Sequence, residues 1–229
     1  MYVSYNYPTM RNLEFSVGEY YHIYNRGIEK RIIFLEENDY KRFMILLYLC
    51  NSETSVGLYR SKVWRTVNMY SIERKNPIIS IGAYCLMPNH FHILIKEISE
   101  GGISKFMQKL TTAYTMYFNI KYNRTGSLFE NTFKAKHANS DRYLKYLFTY
   151  IHLNPIKIID PMWKENKIRN LNNYKIFLDG YSYSSFSEYS EQQRIESSIL
   201  DKASFPNYFL NKIDLDNTLI DFINYDDEV

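Results

Sequence analysis

The chain has 229 residues, 45% of them hydrophobic, and a net charge of +3, which is long enough to bury a full core and typical of one globular domain with extensions. Two distant cysteines, Cys50 and Cys85, each among apolar residues, exclude a zinc ribbon or a disulfide framework and read as buried thiols. Residues Met1 to Arg11 lack the apolar core of a signal peptide, and no run approaches the roughly 18 apolar residues of a membrane span, so a cytoplasmic protein with no membrane partner is expected.

The charge is unevenly spread. Residues 101–160 carry nine Lys and Arg against three Asp and Glu, whereas residues 161–229 carry seven against twelve. A basic middle suits a polyanion, or else a solvated helix face. The 23 tyrosines offer stacking surface for nucleic acid, but an AT-rich genome would give the same abundance, so a catalytic tyrosine must be found by position.

In chain order, Tyr20 to Gly27 reads as a first strand ending at a glycine turn. Glu36 to Asn51 follows, with Phe43, Leu46, Leu47 and Cys50 at helical spacing. Residues 51–76 are polar and patternless, an inserted loop or short arm. Pro77 to Leu86 reads as a second strand, and Met87-Pro88-Asn89 turns it into a third, beginning near Asn89, as a hairpin. After Gly101-Gly102 a long helix is predicted. Ile103, Phe106, Met107, Leu110, Ala113, Tyr114, Tyr117 and Phe118 form its apolar stripe, with Lys105, Lys109 and Lys121 off it. Leu128 to His137 reads as a fourth extended segment. Asp141 to Leu153 reads as a helix, capped from Asn139-Ser140-Asp141 and stopped by Asn154-Pro155. This order predicts an α+β fold, a ferredoxin-like antiparallel sheet with helices on one face, plus a C-terminal extension. The extension, 161–229, is read as partly helical with an acidic, mobile end.

Two features carry chemistry. In His90-Phe91-His92, strand alternation puts both imidazoles on one face and Phe91 on the other, so the pair could chelate a metal or could be ordinary strand residues. In the last core helix Tyr150 and Asn154 are four apart and share a face. Were that face to meet the histidine strand, two imidazoles, an amide oxygen and a phenol would suit metal-assisted phosphoryl transfer with tyrosine as nucleophile. Alone, Tyr150 is more often a packed aromatic and Asn154 more often a helix C-cap before Pro155. A phenol of pKa about 10 needs help losing its proton, and Lys145 and Lys157 are nearby cations. Tyr146, one turn earlier, is the rival nucleophile, with Tyr114 and Tyr117 weaker rivals. His152 falls on another helix face.

Five segments taken together resemble a known family: Tyr21-His22-Ile23-Tyr24-Asn25-Arg26-Gly27, Met87-Pro88-Asn89-His90-Phe91-His92, Tyr117-Phe118-Asn119, Gly126-Ser127-Leu128-Phe129-Glu130-Asn131-Thr132-Phe133-Lys134 and Tyr150-Ile151-His152-Leu153-Asn154-Pro155. They look like the HUH-superfamily single-tyrosine transposases, in the branch of the REP-associated tyrosine transposases and small insertion-sequence enzymes. The match spans roughly residues 18–190 and takes in Ser184-Ser185 and Tyr189. It implies a transposase-type single-strand DNA endonuclease and strand transferase occupying residues 1–160, dependent on Mg²⁺ or Mn²⁺. The metal would sit on His90, His92 and Asn154, and Tyr150 would form a 5′-phosphotyrosine. The implied partner is single-stranded or hairpin DNA, which would bring a cytoplasmic protein to the nucleoid; monomers and homodimers both occur among relatives. Phosphate-contact candidates are Lys105, Lys109, Lys121, Arg124, Lys134, Lys136 and Arg142. The competing readings are a non-catalytic module that binds DNA hairpins and a metal-dependent hydrolase with a water nucleophile, the latter weakened by the lack of an acidic ligand nearby.

Overall fold

Four short segments of alternating or continuous apolar character pair into one sheet. In the computed structural model, which describes residues 13–54, 68–163, 171–190, 193–209 and 212–224, they are β1 (Tyr20–Arg26), β2 (Ile79–Met87), β3 (His90–Glu97) and β4 (Lys134–His137). The order across the sheet is β2-β3-β1-β4, every pairing antiparallel. Helix α1 (Glu37–Leu49) joins β1 to β2, and α2 (Gly102–Lys121) joins β3 to β4. This is the ferredoxin-like alternation expected from the sequence. Pro88-Asn89 alone connects β2 to β3, and the fourth extended segment is shorter than expected, since only Lys134–His137 of Leu128–His137 forms a strand.

Strand alternation sorts the side chains into two cores. Tyr21, Ile23, Phe91, Ile93, Tyr84 and Leu86 point to one face, where Phe43 and Leu47 of α1 and Phe106, Leu110 and Tyr114 of α2 complete a dry cluster. Ala83, Cys85, Met87 and Leu94 point to the other, and Leu144, Leu147, Phe148 and Ile151 of α3 (Asp141–Leu153) cover them. The expectation of helices on one face therefore holds for α1 and α2 and is corrected for α3. The reason lies in composition: the second face of β2 and β3 is also apolar, and a sheet apolar on both sides needs a layer on each.

The bounds of α3 agree with those read from the sequence. Ser140 is its N-cap, its side chain accepting a hydrogen bond from the Tyr143 amide, and Asn154 is its C-cap. The helix is followed by a short α4 (Ile156–Ile159). The described parts of the C-terminal extension, α5 (Leu171–Gly180), α6 (Phe186–Tyr189) and α7 (Lys212–Asn224), belong to the α3 layer. Tyr174, Leu178, Phe186, Phe205, Phe209 and Leu215 are buried in the same cluster as α3. The segment before α6 pairs with the outer edge of β2: the Leu86 amide donates to Tyr183 O at 2.9 Å and the Ser185 amide to Tyr84 O at 2.9 Å. An open strand edge is thereby covered. Gly82 marks a register shift in β2. A Cβ there would stand 2.7 Å from the Phe205 ring, so the glycine lets Phe205 dock.

Of the inserted segment 51–76, the first residue is pinned to the start of β2. Asn51 Nδ2 donates to Ile79 O, and its Oδ1 accepts from the amides of Ile78 and Ile79; residues 55–67 lie outside the described residues. The segment expected as an acidic, mobile end forms α7 up to Asn224, with the Phe222 ring 4.9 Å from Tyr146; residues 225–229 lie outside the described residues. Among the described residues no helix is long and apolar enough to cross a membrane.

Candidate active site

The site lies where the α3 face of the sheet changes from apolar to polar, at the hairpin end of β3. His90 and His92 share that face as strand geometry requires, their ring centroids 5.0 Å apart and nearly perpendicular. Tyr150, from the last turn of α3, stands edge-on to His92 at 5.6 Å between centroids. The histidine strand and the tyrosine helix thus meet. Tyr150 is half-buried and Asn154 fully buried. The Asn154 amide group donates to Tyr150 O at 2.9 Å, while its Oδ1 is buried with no hydrogen-bond partner among the described residues. A buried, unpaired amide oxygen is costly unless something electropositive meets it.

A third histidine, which stands out in the sequence only as part of a longer motif, joins them. His22 of β1 is cross-strand from Leu94, one diagonal step from His92. The two rings stack at 5.0 Å and share a 2.8 Å hydrogen bond between His22 Nε2 and His92 Nδ1. His22 is also edge-on to Tyr150 at 6.1 Å. The only signal for this residue in the sequence was its place two residues before Tyr24 on a strand; the register that carries it to His92 is a tertiary property.

All three imidazoles are held neutral. Burial pushes His90 down to about 4, helped by the Lys157 and Arg26 charges, and pushes His22 down to about 4, helped by Lys136. Burial also places His92 well below its ordinary value, with His22, His90 and Lys157 adding to the effect. Neutral imidazole is the form that ligates a cation. His90 Nδ1 is engaged by Asn89 Oδ1 at 2.7 Å and His92 Nδ1 by His22, so among the described residues each ring has its Nε2 left over. One ring nitrogen oriented by a neighbour and the other left for the ion is the usual arrangement of a ligating histidine. Among the described residues no group of three His, Cys, Asp or Glu side chains is gathered for a metal, so a third donor beside the two imidazoles would be of another kind, such as the unpaired Asn154 amide oxygen.

Around Tyr150 the site is aromatic and cationic. Tyr143, Tyr146 and Tyr150 stack along α3, with Tyr146 6.0 Å from Tyr150 and nearly parallel. The Lys157 ammonium stands 5.6 Å from the Tyr150 ring centre. Lys145 is exposed on α3, its backbone oxygen accepting from Thr149. Tyr114 and Tyr117 are on the opposite face of the sheet: Tyr114 donates to Ile33 O and Tyr117 to Asp39. His152 is fully buried away from the site. It shares a 2.8 Å hydrogen bond with Ser185 Oγ, and burial drives it down to about 3. Cys85 is buried beneath the site, its thiol pushed up by desolvation.

The basic candidates divide between the faces. Lys134 and Lys136 of β4 are cross-strand from Tyr24 and His22 and so project from the site face, both exposed; Arg142 is exposed on the first turn of α3. Lys105, Lys109 and Lys121 belong to α2 on the other side. Lys109 donates to Ser52 O and Thr54 O, Lys121 is bound to Glu36 and Asp39, and Arg124 to Asn119 and Ser127 O. The structure does not bring these residues to the histidines. Lys109 and Lys121 bend back to internal acceptors instead of projecting from the helix, because Asp39 and the chain around Ser52 offer them buried oxygens.

Residues 59–154 match the family model described as transposase IS200 like. A solved structure of a REP-associated tyrosine transposase bound to a REP hairpin is similar, with a TM-score of 0.51 and 11% identity, over 82% of this chain and 90% of that one. No curated protein matches. The stretch from 59 to 154 includes His90, His92, Tyr150 and Asn154, and these likenesses agree with the resemblance drawn from the five motifs: the chain is similar over that stretch to IS200-like transposases and has the α+β fold of the solved REP-associated tyrosine transposase.

Proposed function

We propose that the protein is a transposase that nicks single-stranded DNA and transfers the cut strand, with Tyr150 as nucleophile. The observation that carries this is the convergence of Tyr150 with His90 and His92 from separate elements, 5.6 Å from the nearer ring. In the reaction, Tyr150 Oη attacks the scissile phosphorus and the bond to the 3′ oxygen breaks. The phenol proton is lost to water and the departing oxygen takes one up, leaving a 5′-phosphotyrosine and a free 3′-hydroxyl. The phosphodiester is kept, so a second 3′-hydroxyl can reverse the step and join strands without ATP. Lys157, close to the Tyr150 ring, stabilises the phenolate; Tyr146, stacked on Tyr150, limits the directions in which the ring can swing.

His90 Nε2, His92 Nε2 and the unpaired Asn154 oxygen would hold Mg²⁺ or Mn²⁺. When bound, such an ion neutralises charge on the phosphate oxygens as the phosphorus is attacked. The substrate proposed is a hairpin, the DNA bound in the similar solved structure, here with an adjoining single strand. Lys134, Lys136 and Arg142 on the site face would contact its phosphates, and Lys105, Lys109, Lys121 and Arg124 would not take part in the cut strand's path.

The test uses labelled hairpin DNA with a single-stranded flank, incubated with Mn²⁺ and then denatured. A covalent adduct is expected, absent in EDTA and absent in Tyr150→Phe. An adduct that persists in Tyr150→Phe but vanishes in Tyr146→Phe would move the nucleophile one turn. Binding without any adduct would favour a non-catalytic hairpin-binding module.

A further inference from the structure

The hydrogen bond between His22 and His92 has a consequence for which nitrogen of His92 is free. At 2.8 Å a single proton lies between His22 Nε2 and His92 Nδ1, and two neutral rings can share it in two ways. If His22 donates, His92 Nδ1 is the acceptor and its proton must be on Nε2, where it blocks a ligand. If His92 donates, its Nε2 carries a lone pair. His90 faces no such choice. Its Nδ1 meets Asn89 Oδ1, and the Asn89 amide orientation is set because its Nδ2 donates to Lys30 O. That oxygen can only accept, so His90 has its proton on Nδ1 and a lone pair on Nε2. His92 depends instead on a partner able to play either role. Both rings are almost fully buried, His22 at 5% and His92 at 6% exposure, so bulk water has little access to stand in for either.

We infer that His22 is a positioning residue: as hydrogen-bond acceptor it holds His92 with its proton on Nδ1, leaving Nε2 able to take a divalent cation. This assignment builds on the metal reading proposed above. His22 is itself no ligand in this arrangement, because its Nε2 is used on His92, and its ring stack on His92 and edge contact with Tyr150 fix the plane in which the lone pair points. Support of this kind for a ligating histidine is worth roughly ten- to a hundredfold in metal affinity.

The experiment combines two readouts on the whole chain. Long-range proton–nitrogen correlation spectra of the metal-free protein at pH 7.5 report the tautomer of His92, and Mn²⁺ titration followed by electron paramagnetic resonance reports affinity without DNA. The wild type is expected to show His92 protonated at Nδ1. His22→Phe, which keeps an aromatic ring but no acceptor, is expected to bind Mn²⁺ about tenfold or more weakly. His22→Gln, whose amide oxygen can accept, is expected to recover most of that affinity, which a packing role alone would not produce. Wild-type His92 found protonated at Nε2, or Mn²⁺ bound as tightly by His22→Phe as by wild type, would overturn the inference. If His22→Phe does not fold, the wild-type spectrum and His22→Gln still decide. Mn²⁺ binding unchanged in His90→Ala and His92→Ala, with wild-type His92 protonated at Nδ1, would sink the metal reading while the tautomer assignment stands.

Discussion

The two faces of the sheet are built from the same four strands and do opposite work. On the α1 and α2 face Phe91 packs against Phe43 and Phe129 in a dry cluster where Tyr114 donates to Ile33 O and Tyr117 to Asp39. On the α3 face, one residue away along β3, His90 and His92 meet His22, Tyr150 and Lys157. A strand alternates sides at every residue, so one short sequence can feed a core and a site at once. The lesson is that the dry face holds the strands in a fixed register, and the register aims the histidines. Substitutions on the first face should cost stability, and those on the second should cost chemistry.

The largest contrast expected is between two tyrosines. Tyr150→Phe should abolish the covalent DNA adduct while leaving the unfolding midpoint nearly unchanged. Tyr114→Phe removes a buried hydrogen bond to Ile33 O and should cost about 1–3 kcal/mol in denaturant unfolding while the adduct still forms. Failure of Tyr114→Phe to form the adduct at a temperature where the variant is folded would erase the division between the faces.

Adjacent residues of one strand make the next contrast. Phe91→Ala should destabilise by about 3–5 kcal/mol, since its side chain is fully buried and the cavity left would be lined by rings. His92→Ala should cost clearly less stability and remove Mn²⁺ binding. Equal costs in stability at the two positions would show that His92 is part of the packing rather than of a site.

Much of this division was legible in the sequence, and the reason is periodicity. His-Phe-His on a strand fixes which side each residue takes without any knowledge of the partner strands. Tyr150 and Asn154 four apart on a helix with clear caps are similarly local, and α3 has the bounds that Ser140 and Asn154-Pro155 marked. What could not be read depends on pairing. His22 reaches His92 only because β1 is shifted so that Tyr24, not His22, is directly opposite. Lys109 and Lys121 looked like solvent-facing cations because a helix stripe reports burial, not the distant Asp39 or Ser52 carbonyl that captures them. The side of the sheet taken by α3 was missed because Ala83, Cys85 and Met87 read as ordinary strand residues until a second layer was needed to cover them.

Acid should expose a third difference. His22, His90 and His152 are held near or below about 4 by burial, against an ordinary value of about 6.5. The unfolded chain therefore takes up protons that the folded chain refuses, and the sign follows: stability is fully present above pH about 6.5 and falls as pH drops towards 4. His152 has no part in the proposed chemistry. His152→Gln should reduce the slope of unfolding free energy against pH in that window by up to about 1.4 kcal/mol per pH unit, measured by denaturant titration at several pH values. An unchanged slope would mean that His152 is no less basic in the fold than in the unfolded chain. Saturating Mn²⁺ should steepen the remaining slope at the acid end of that window, because holding His90 and His92 unprotonated in the fold enlarges the difference in bound protons between the unfolded and folded chain, and should do so equally in His152→Gln.

The smallest effect expected concerns where DNA lies. If the strand runs over the site face, Lys134 and Lys136 touch phosphates beside Tyr24 and His22, and Lys105 and Lys109 on α2 do not. Removing one cation that neutralises a single-strand phosphate should lower the slope of log affinity against log salt by about 0.7. Lys134→Gln combined with Lys136→Gln should therefore lower it by about 1.4, whereas Lys105→Gln combined with Lys109→Gln should leave it unchanged. The measurement is fluorescence anisotropy of a labelled hairpin with a single-stranded flank between low and moderate salt. The α2 pair is the more informative arm, because Lys109 is already committed to Ser52 O and Thr54 O. A salt slope that falls there as well would mean that DNA wraps past the edge of the sheet onto the dry face, and the separation of the two faces would then describe the chemistry but not the footprint.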